Sequence, residues 1–281
     1  MTFFALAPTT LVASVATPLA AIGSNTDVVR VTAKDSAGVS WAGALYIYAS
    51  TAADALIAGS LTTPVLCTWD AADDRHECSV SGLSAGTAKF KTIDASTVAA
   101  ATKTSNEVSV VVSQASATTV KLEFDKASYA PGERARIYVT PLDSTGKAMQ
   151  ATAFSNLLAT GGVATASALT FAGSTTTADS LTAVAITTKG NSSSTSGAKA
   201  GSMEYTVYMP VSGGTVTISA TGGSSLPIAG RVAVTATATV TDSGAAALAA
   251  VTALATTVAS LKTLITTLTN LVLKIQKKVK A

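Results

Sequence analysis

The chain has 281 residues, enough for two ordinary domains and one additional element. Its net charge is +3, and only 12% of its residues are charged, about half the usual share. A surface made mainly of Ser, Thr, Ala and Gly suits a packed array better than a freely diffusing cytosolic enzyme, and the small net charge argues against nucleic acid as a partner.

Residues 1–21 are apolar and end in an Ala-rich stretch, as a signal peptide does. No Lys or Arg precedes Arg30, so the basic region that opens a signal peptide is missing. Pro8 and Pro18 argue against a membrane-spanning helix. A mature or truncated start, an atypical signal and an apolar strand are the open alternatives. Of these we favour an apolar strand or extended arm, and we place residues 1–21 outside the first domain as an apolar arm or signal-like segment.

From Val28 to Thr241 the sequence predicts β-structure, because short runs of alternating, β-branched residues are separated by turn residues. The pattern V-T-x-x-D-S-x-G occurs twice, at Val31–Gly38 and Val139–Gly146. The two copies are about one immunoglobulin-sized domain apart. We therefore predict two immunoglobulin-like β-sandwich domains, over residues 22–115 and 116–242.

Cys67 and Cys78 are the two cysteines of the chain, and a polar, acidic stretch separates them. Strands flank both, and no Cys pair has metal-ligand spacing, so we predict a disulfide across a hairpin. Such a bond requires an oxidising compartment, which favours an extracellular protein. Two unrelated free thiols are the alternative.

The stretch between the cysteines holds four carboxylates that could bind Ca²⁺, since this ion prefers oxygen ligands: Asp70, Asp73, Asp74 and Glu77. Their spacing fits no EF-hand loop, and a solvated acidic hairpin tip is the favoured alternative. The chain has one histidine, His76, so a two-His metal site is excluded. Neither Gly-rich phosphate motif occurs. We therefore predict no enzyme and no cofactor, with Ca²⁺ as the one candidate ion.

Beyond Gly244 the apolar period becomes helical. Nine apolar residues follow a 3-4 spacing without a break and fill the a and d positions of four heptads, which predicts a coiled-coil helix over residues 243–281. β-branched residues at a with Leu at d favour a parallel dimer, whereas Leu264 and Leu271 at g and Ile275 at d favour a trimer, so a homotrimer is slightly preferred. The nine predicted oligomerisation residues are Val251, Leu254, Val258, Leu261, Ile265, Leu268, Val272, Ile275 and Val279.

Two alternatives for this helix are open. It could pack on its own sandwich, although an isolated straight helix would drift away from an unbroken 3.5-residue period. It could also anchor the chain in a membrane with its basic end as the flank, although Lys262 and Asn270 argue against this. The basic tail complements the helix dipole and could contact cell-wall polymer or an anionic membrane surface. It consists of Lys274, Lys277, Lys278 and Lys280.

The stretch Phe124–Glu133, with the pattern D-K-x-x-Y-x-P-G-E, resembles the opening of immunoglobulin-like domains in macroglobulin-type and invasin-type bacterial surface proteins. This resemblance implies fold and not activity. In composition and architecture the whole chain resembles a bacterial surface-layer or surface-fibre subunit. We therefore expect a self-assembling structural protein of the cell surface. An adhesin or phage-type fibre with a coiled-coil stalk is the first alternative, and a membrane-anchored wall protein is the second.

Overall fold

The computed structural model describes residues 4–59, 63–165, 181–189, 199–241 and 243–279. Within these ranges the chain is mainly β, with two β-sandwiches followed by one long helix. Each sandwich has its own cluster of buried apolar residues, and the two clusters divide the chain between Val112 and Ala117. The predicted fold class, two immunoglobulin-like sandwiches and a C-terminal helix, is confirmed.

In the first sandwich, nine strands and a short α-helix occur among the residues that the structure describes. Their bounds are β1 Thr10–Val15, β2 Leu19–Ala21, β3 Gly23–Lys34, β4 Tyr46–Ala49, α1 Ala52–Ala58, β5 Val65–Leu66, β6 Thr68–Asp70, β7 Arg75–Gly82, β8 Gly86–Ile93 and β9 Val108–Ser113. One sheet has the order β1-β3-β7-β6, and the other has the order β2-β9-β8-β4-β5.

The described residues of the second sandwich form a further nine strands. Their bounds are β10 Thr119–Phe124, β11 Ser128–Tyr129, β12 Arg134–Leu142, β13 Ala153–Phe154, β14 Leu158–Thr165, β15 Ile186–Thr187, β16 Met203–Tyr208, β17 Gly214–Gly222 and β18 Ala233–Val240. The sheets have the orders β10-β12-β16 and β11-β18-β17-β14, and β13 pairs with β15. Helix α2 then runs from Ser243 to Val279.

Both sandwiches begin in the same way, with an opening strand that is divided between the two sheets. In the first, β1 pairs antiparallel with β3, and β2 pairs parallel with β9 in the opposite sheet. In the second, β10 pairs antiparallel with β12, and β11 pairs parallel with β18. This shared topology, together with the two-sheet packing, is the immunoglobulin-like arrangement.

The prediction that residues 1–21 form an arm outside the first sandwich is wrong for residues 10–21. These residues form β1 and β2, and Leu11, Ala13 and Ala20 lie in the first core. These residues are apolar because every second side chain of such a strand points into the sandwich and is buried there. Residues 1–3 lie outside the described residues.

The repeated D-S-x-G turns have the same geometry in both sandwiches. Asp35 Oδ1 accepts hydrogen bonds from the backbone N–H groups of residues 37 and 39, both at 2.9 Å. Asp143 Oδ1 accepts the equivalent bonds at 2.8 and 2.9 Å. Gly38 and Gly146 have φ of 78° and 77°, which only glycine adopts without strain. The internal repeat therefore marks equivalent turns of two equivalent domains.

The motif at residues 124–133 has a structural role in the second sandwich. The buried Tyr129 hydroxyl donates to Asp125 Oδ1 at 2.6 Å and accepts from the backbone N–H of Lys126 at 2.9 Å. The same Asp125 oxygen accepts from the backbone N–H of Arg136 at 2.6 Å. Burial, reinforced by the Asp125 carboxylate, raises the pKa of Tyr129 well above its ordinary value. The motif thus joins the opening strand to β12.

Candidate functional site

Helix α2 is the element that the fold leaves without a partner. It has 37 residues and is therefore about 55 Å long. None of the stretch Ala247–Val279 is buried. The alternative in which this helix packs on its own sandwich therefore disagrees with the structure. By length and composition alone, the same stretch could also cross a membrane.

The nine predicted oligomerisation residues form one continuous exposed strip along α2. Their exposed fractions run from 45% at Val272 to 81% at Val279, with most between 54% and 64%. Leu264 and Leu271, at the neighbouring g positions, are also exposed and widen the strip. A continuous apolar strip of this length marks an interaction surface. That it contacts copies of the same helix stays a prediction.

Many polar side chains of α2 are hydroxyl groups that form hydrogen bonds within the helix itself. Eight Ser and Thr side chains each donate to the backbone carbonyl oxygen four residues earlier, at 2.8–3.1 Å. Such bonds leave the hydroxyls without need of an external partner, so they neither drive nor prevent association. The residues are Thr252, Thr256, Thr257, Ser260, Thr263, Thr266, Thr267 and Thr269.

The basic end of α2 contains Lys274, Lys277 and Lys278, whereas Lys280 lies outside the described residues. Residues 243–281 contain no Asp or Glu, so these lysines have no acidic partner within their own helix. Leu273 lies beside them and is 51% exposed, at a b position that a coiled coil turns outward. The sequence reasoning missed Leu273, although the sequence shows that it is a large apolar residue at an outward-facing position of the helix.

The predicted disulfide is confirmed. Cys67 and Cys78 are bonded, and their Cα atoms are 4.3 Å apart. Both residues are buried in the first core, and the bond closes the hairpin of β6 and β7. The acidic stretch forms the tip of this hairpin.

The tip carboxylates are arranged around a guanidinium group. Arg75 lies 3.1 Å from a Glu77 oxygen and 3.9 Å from an Asp70 oxygen, and it also pairs with Asp73. Asp74 occupies the turn with φ of 51°. Among the described residues, no group of three or more His, Cys, Asp or Glu could hold a metal ion. Three of the four predicted Ca²⁺ ligands therefore pair with Arg75 in this arrangement, and Ca²⁺ binding stays a prediction.

His76 is buried between the two tryptophans of the chain, an arrangement that the sequence reasoning missed. Its ring centroid lies 4.9 Å from that of Trp69 and 5.9 Å from that of Trp41. His76 Nε2 lies 2.8 Å from the Gly43 carbonyl oxygen, so Nε2 carries the proton. Nδ1 is buried and has no hydrogen-bond partner among the described residues. Burial lowers the pKa of His76, and the hydrogen bond to Gly43 offsets this only in part.

Two surface cavities of about 340 and 350 Å³ occur in the described part of the chain. Apolar side chains, backbone and hydroxyl groups line both, and Arg231 is the one charged residue among the linings. Neither cavity is lined by Asp, Glu, His or Cys, so neither brings together an acid and a base.

No protein-family model and no curated protein matches the chain. Among solved structures, the Escherichia coli adhesin FdeC matches at 17% identity with a TM-score of 0.26, over 82% of this chain and 62% of the adhesin. Domains 5–6 of the S-layer protein SbsC match at 15% identity with a TM-score of 0.27, over 84% of this chain and 99% of theirs. A glycosyl hydrolase family 2 member from Bacteroides cellulosilyticus matches at 15% identity with a TM-score of 0.38, over 78% of this chain and 23% of the hydrolase.

An adhesin, an S-layer protein and a glycosyl hydrolase are thus all among the solved structures to which the chain is similar. At these identities and TM-scores the likeness concerns the β-fold alone. The fold assignment rests on the chain's own sheets and cores, and function must be argued from its surfaces.

Proposed function

We propose that this chain is a non-catalytic, extracellular structural protein of the cell surface, whose α2 helices join copies of the chain into a surface layer or appendage. The two sandwiches project from the joined helices. The observation that carries the proposal is the exposed a/d strip of α2, which runs from Val251 to Val279 and is not buried by any described part of its own chain.

A single α2 helix that packs against nothing should be only marginally stable in water. Helices gain most of their stability in proteins from packing an apolar face, and α2 packs none of it. Burying exposed apolar area is favourable by roughly 25 cal/mol per Å². Association through the strip would supply the missing packing, so we infer that α2 has a partner.

A second and third copy of α2 fit this strip better than an unrelated surface does. An unbroken 3.5-residue period keeps the apolar strip in register with an identical supercoiled helix over four heptads. The strip itself is uncharged, and the flanking e and g positions hold two charged residues, Lys262 and Lys278, so identical helices bring like charges together only at the level of these residues. We therefore propose a parallel homotrimer, with a homodimer as the nearest alternative.

The disulfide and the surface composition support the extracellular setting. Cys67 and Cys78 form a closed hairpin that an oxidising compartment preserves. The low share of charged residues suits sandwiches that contact one another in an array. We propose no cofactor.

A membrane anchor is the second candidate function for α2, because the helix is long and apolar enough to span and its hydroxyls are internally bonded. Lys262 stands against it, since a charge near the middle of a span is costly.

Electron microscopy of the purified full chain tests the proposal. We expect groups of two or three rods joined at one end, where each rod is the pair of sandwiches of one chain, or sheets and filaments built from such groups. The matched control is a chain that ends at Thr241, which keeps both cores and should give separate rods. Separate rods from the full chain at every protein concentration would contradict the proposal.

A further inference from the structure

The outward face of α2 changes its chemistry over the last two turns. In the first three heptads of the coiled-coil register, the b, c and f positions carry Thr, Ala, Ser and Asn, without a charge. From residue 273 onward the same positions carry Leu273, Lys274 and Lys277. A coiled coil buries none of these positions, so oligomerisation does not explain the change.

The charge of this end is unbalanced. Lys274, Lys277 and Lys278 are exposed, and no acidic residue occurs in the helix. The C-terminal helix dipole supplies only about half a negative charge, which cannot neutralise three lysines. A parallel coil collects these lysines from every copy at one tip, so an anionic partner would relieve their repulsion.

Leu273 determines which anionic partner fits. A soluble or wall-bound polyanion offers phosphates or carboxylates to the lysines but nothing to an exposed leucine. A lipid surface offers both, because lysines bind headgroups while an apolar side chain enters the boundary between headgroups and acyl chains. The pairing of an outward leucine with flanking lysines is typical of interfacial helices.

We propose that the C-terminal tip of α2 binds the surface of an anionic lipid bilayer, with Lys274, Lys277 and Lys278 on the headgroups and Leu273 at the acyl boundary. This inference rests on the proposed coil, which turns Leu273, Lys274 and Lys277 outward at its b, c and f positions. The end of α2 lies along the bilayer surface on this outward face and does not cross the bilayer.

Co-sedimentation of the full chain with lipid vesicles tests this. We expect binding to vesicles of phosphatidylcholine mixed with phosphatidylglycerol, no binding to phosphatidylcholine alone, and release at high salt. The double variant Lys274→Gln/Lys277→Gln should weaken binding at least about tenfold. Leu273→Thr, which gives this b position the residue found at Thr266, should also weaken it severalfold. Lys262→Gln, in the same helix but away from the tip, is the matched control and should bind as the wild type does.

Three results would overturn the inference. One is no binding to anionic vesicles. Another is binding that Leu273→Thr leaves unchanged, which would indicate a general polyanion site. The third is binding that survives high salt and occurs on phosphatidylcholine, which would indicate an inserted helix. Light scattering on the same variants separates this test from the proposed function, because the tip variants should keep the oligomer of the wild type.

Discussion

Ile265→Asp is the substitution that most sharply separates an oligomeric α2 from a solitary one. Ile265 is the central a residue of the strip and is 57% exposed in the single chain. Burying this exposed part of the Ile265 side chain against other copies of the helix stabilises the assembly by about 1–2 kcal/mol per chain. Aspartate forfeits this gain and brings two or three carboxylates together in an apolar seam, at a further cost of several kcal/mol. Even a total of about 4 kcal/mol per assembly weakens association roughly a thousandfold.

The control for this substitution is Thr266→Asp, at the outward b position one residue away. It adds the same charge to the same helix, but the carboxylate stays in water, so the oligomer should persist. Light scattering measures the mass of each variant, and circular dichroism shows whether the sandwiches keep their β-structure, which their separate cores predict. Equal masses for the two variants would refute the reasoning.

Three further predictions concern the sandwiches. Replacing Cys67 and Cys78 together by Ala should destabilise the first sandwich by about 2–3 kcal/mol, since the disulfide closes a short loop; denaturant unfolding measures this. Tyr129→Phe should cost about 2 kcal/mol, because Asp125 loses a charge-assisted hydrogen bond; thermal unfolding checks it. Lowering the pH below about 6.5 should destabilise the first sandwich through His76, as unfolding followed by tryptophan fluorescence would show.

The sign of the pH effect follows from burial of the imidazole. Because the pKa of His76 is lower in the folded chain, the unfolded chain binds the proton more tightly. Stability is therefore complete above the ordinary histidine pKa and falls as the pH drops below it. His76→Phe, which leaves no histidine in the chain, should remove this dependence, and an unchanged profile would contradict the assignment.

The other two predictions have their own controls. Tyr46→Phe removes a hydroxyl that makes no hydrogen bond in the described part of the chain, so it should leave stability nearly unchanged. For the disulfide, the wild type under reducing conditions should match the double alanine variant. Equal stability of oxidised and reduced wild type would contradict the predicted contribution.

Most of the fold was predicted from two features of the sequence: apolar and polar residues that alternate along strands, and residue types that favour turns. β3 and β17 bury every second residue over much of their length, and the turns at Asp35 and Asp143 use the side-chain bonds that their residue types favour. These signals are local, so a sequence displays them. The a/d strip of α2 was equally visible for the same reason.

Elements that depend on distant contacts were missed. Helix α1 has seven residues, too few for a helical period, and its Thr51–Asp54 cap is the one local signal. Asp54 also accepts from the backbone N–H of Lys89 at 2.9 Å, a tertiary bond that no local pattern reveals. β1 and β2 resembled a signal segment because their own residues do not show which strands they pair with, and β9, the partner of β2, lies at the far end of the first sandwich.

The acidic tip shows how a neighbouring cation alters a predicted site. Four carboxylates within eight residues suggested Ca²⁺, but Arg75 lies in the same run and pairs with three of them. The charge of a cluster therefore has to be counted together with its own cations before a metal is assigned.

The mass of the full chain in solution, measured by sedimentation equilibrium over a wide concentration range, tests the central claim most directly. Our account predicts a species of three times the 27.8 kDa chain mass, or two times if the dimer prevails. A species of 27.8 kDa at every concentration would contradict it.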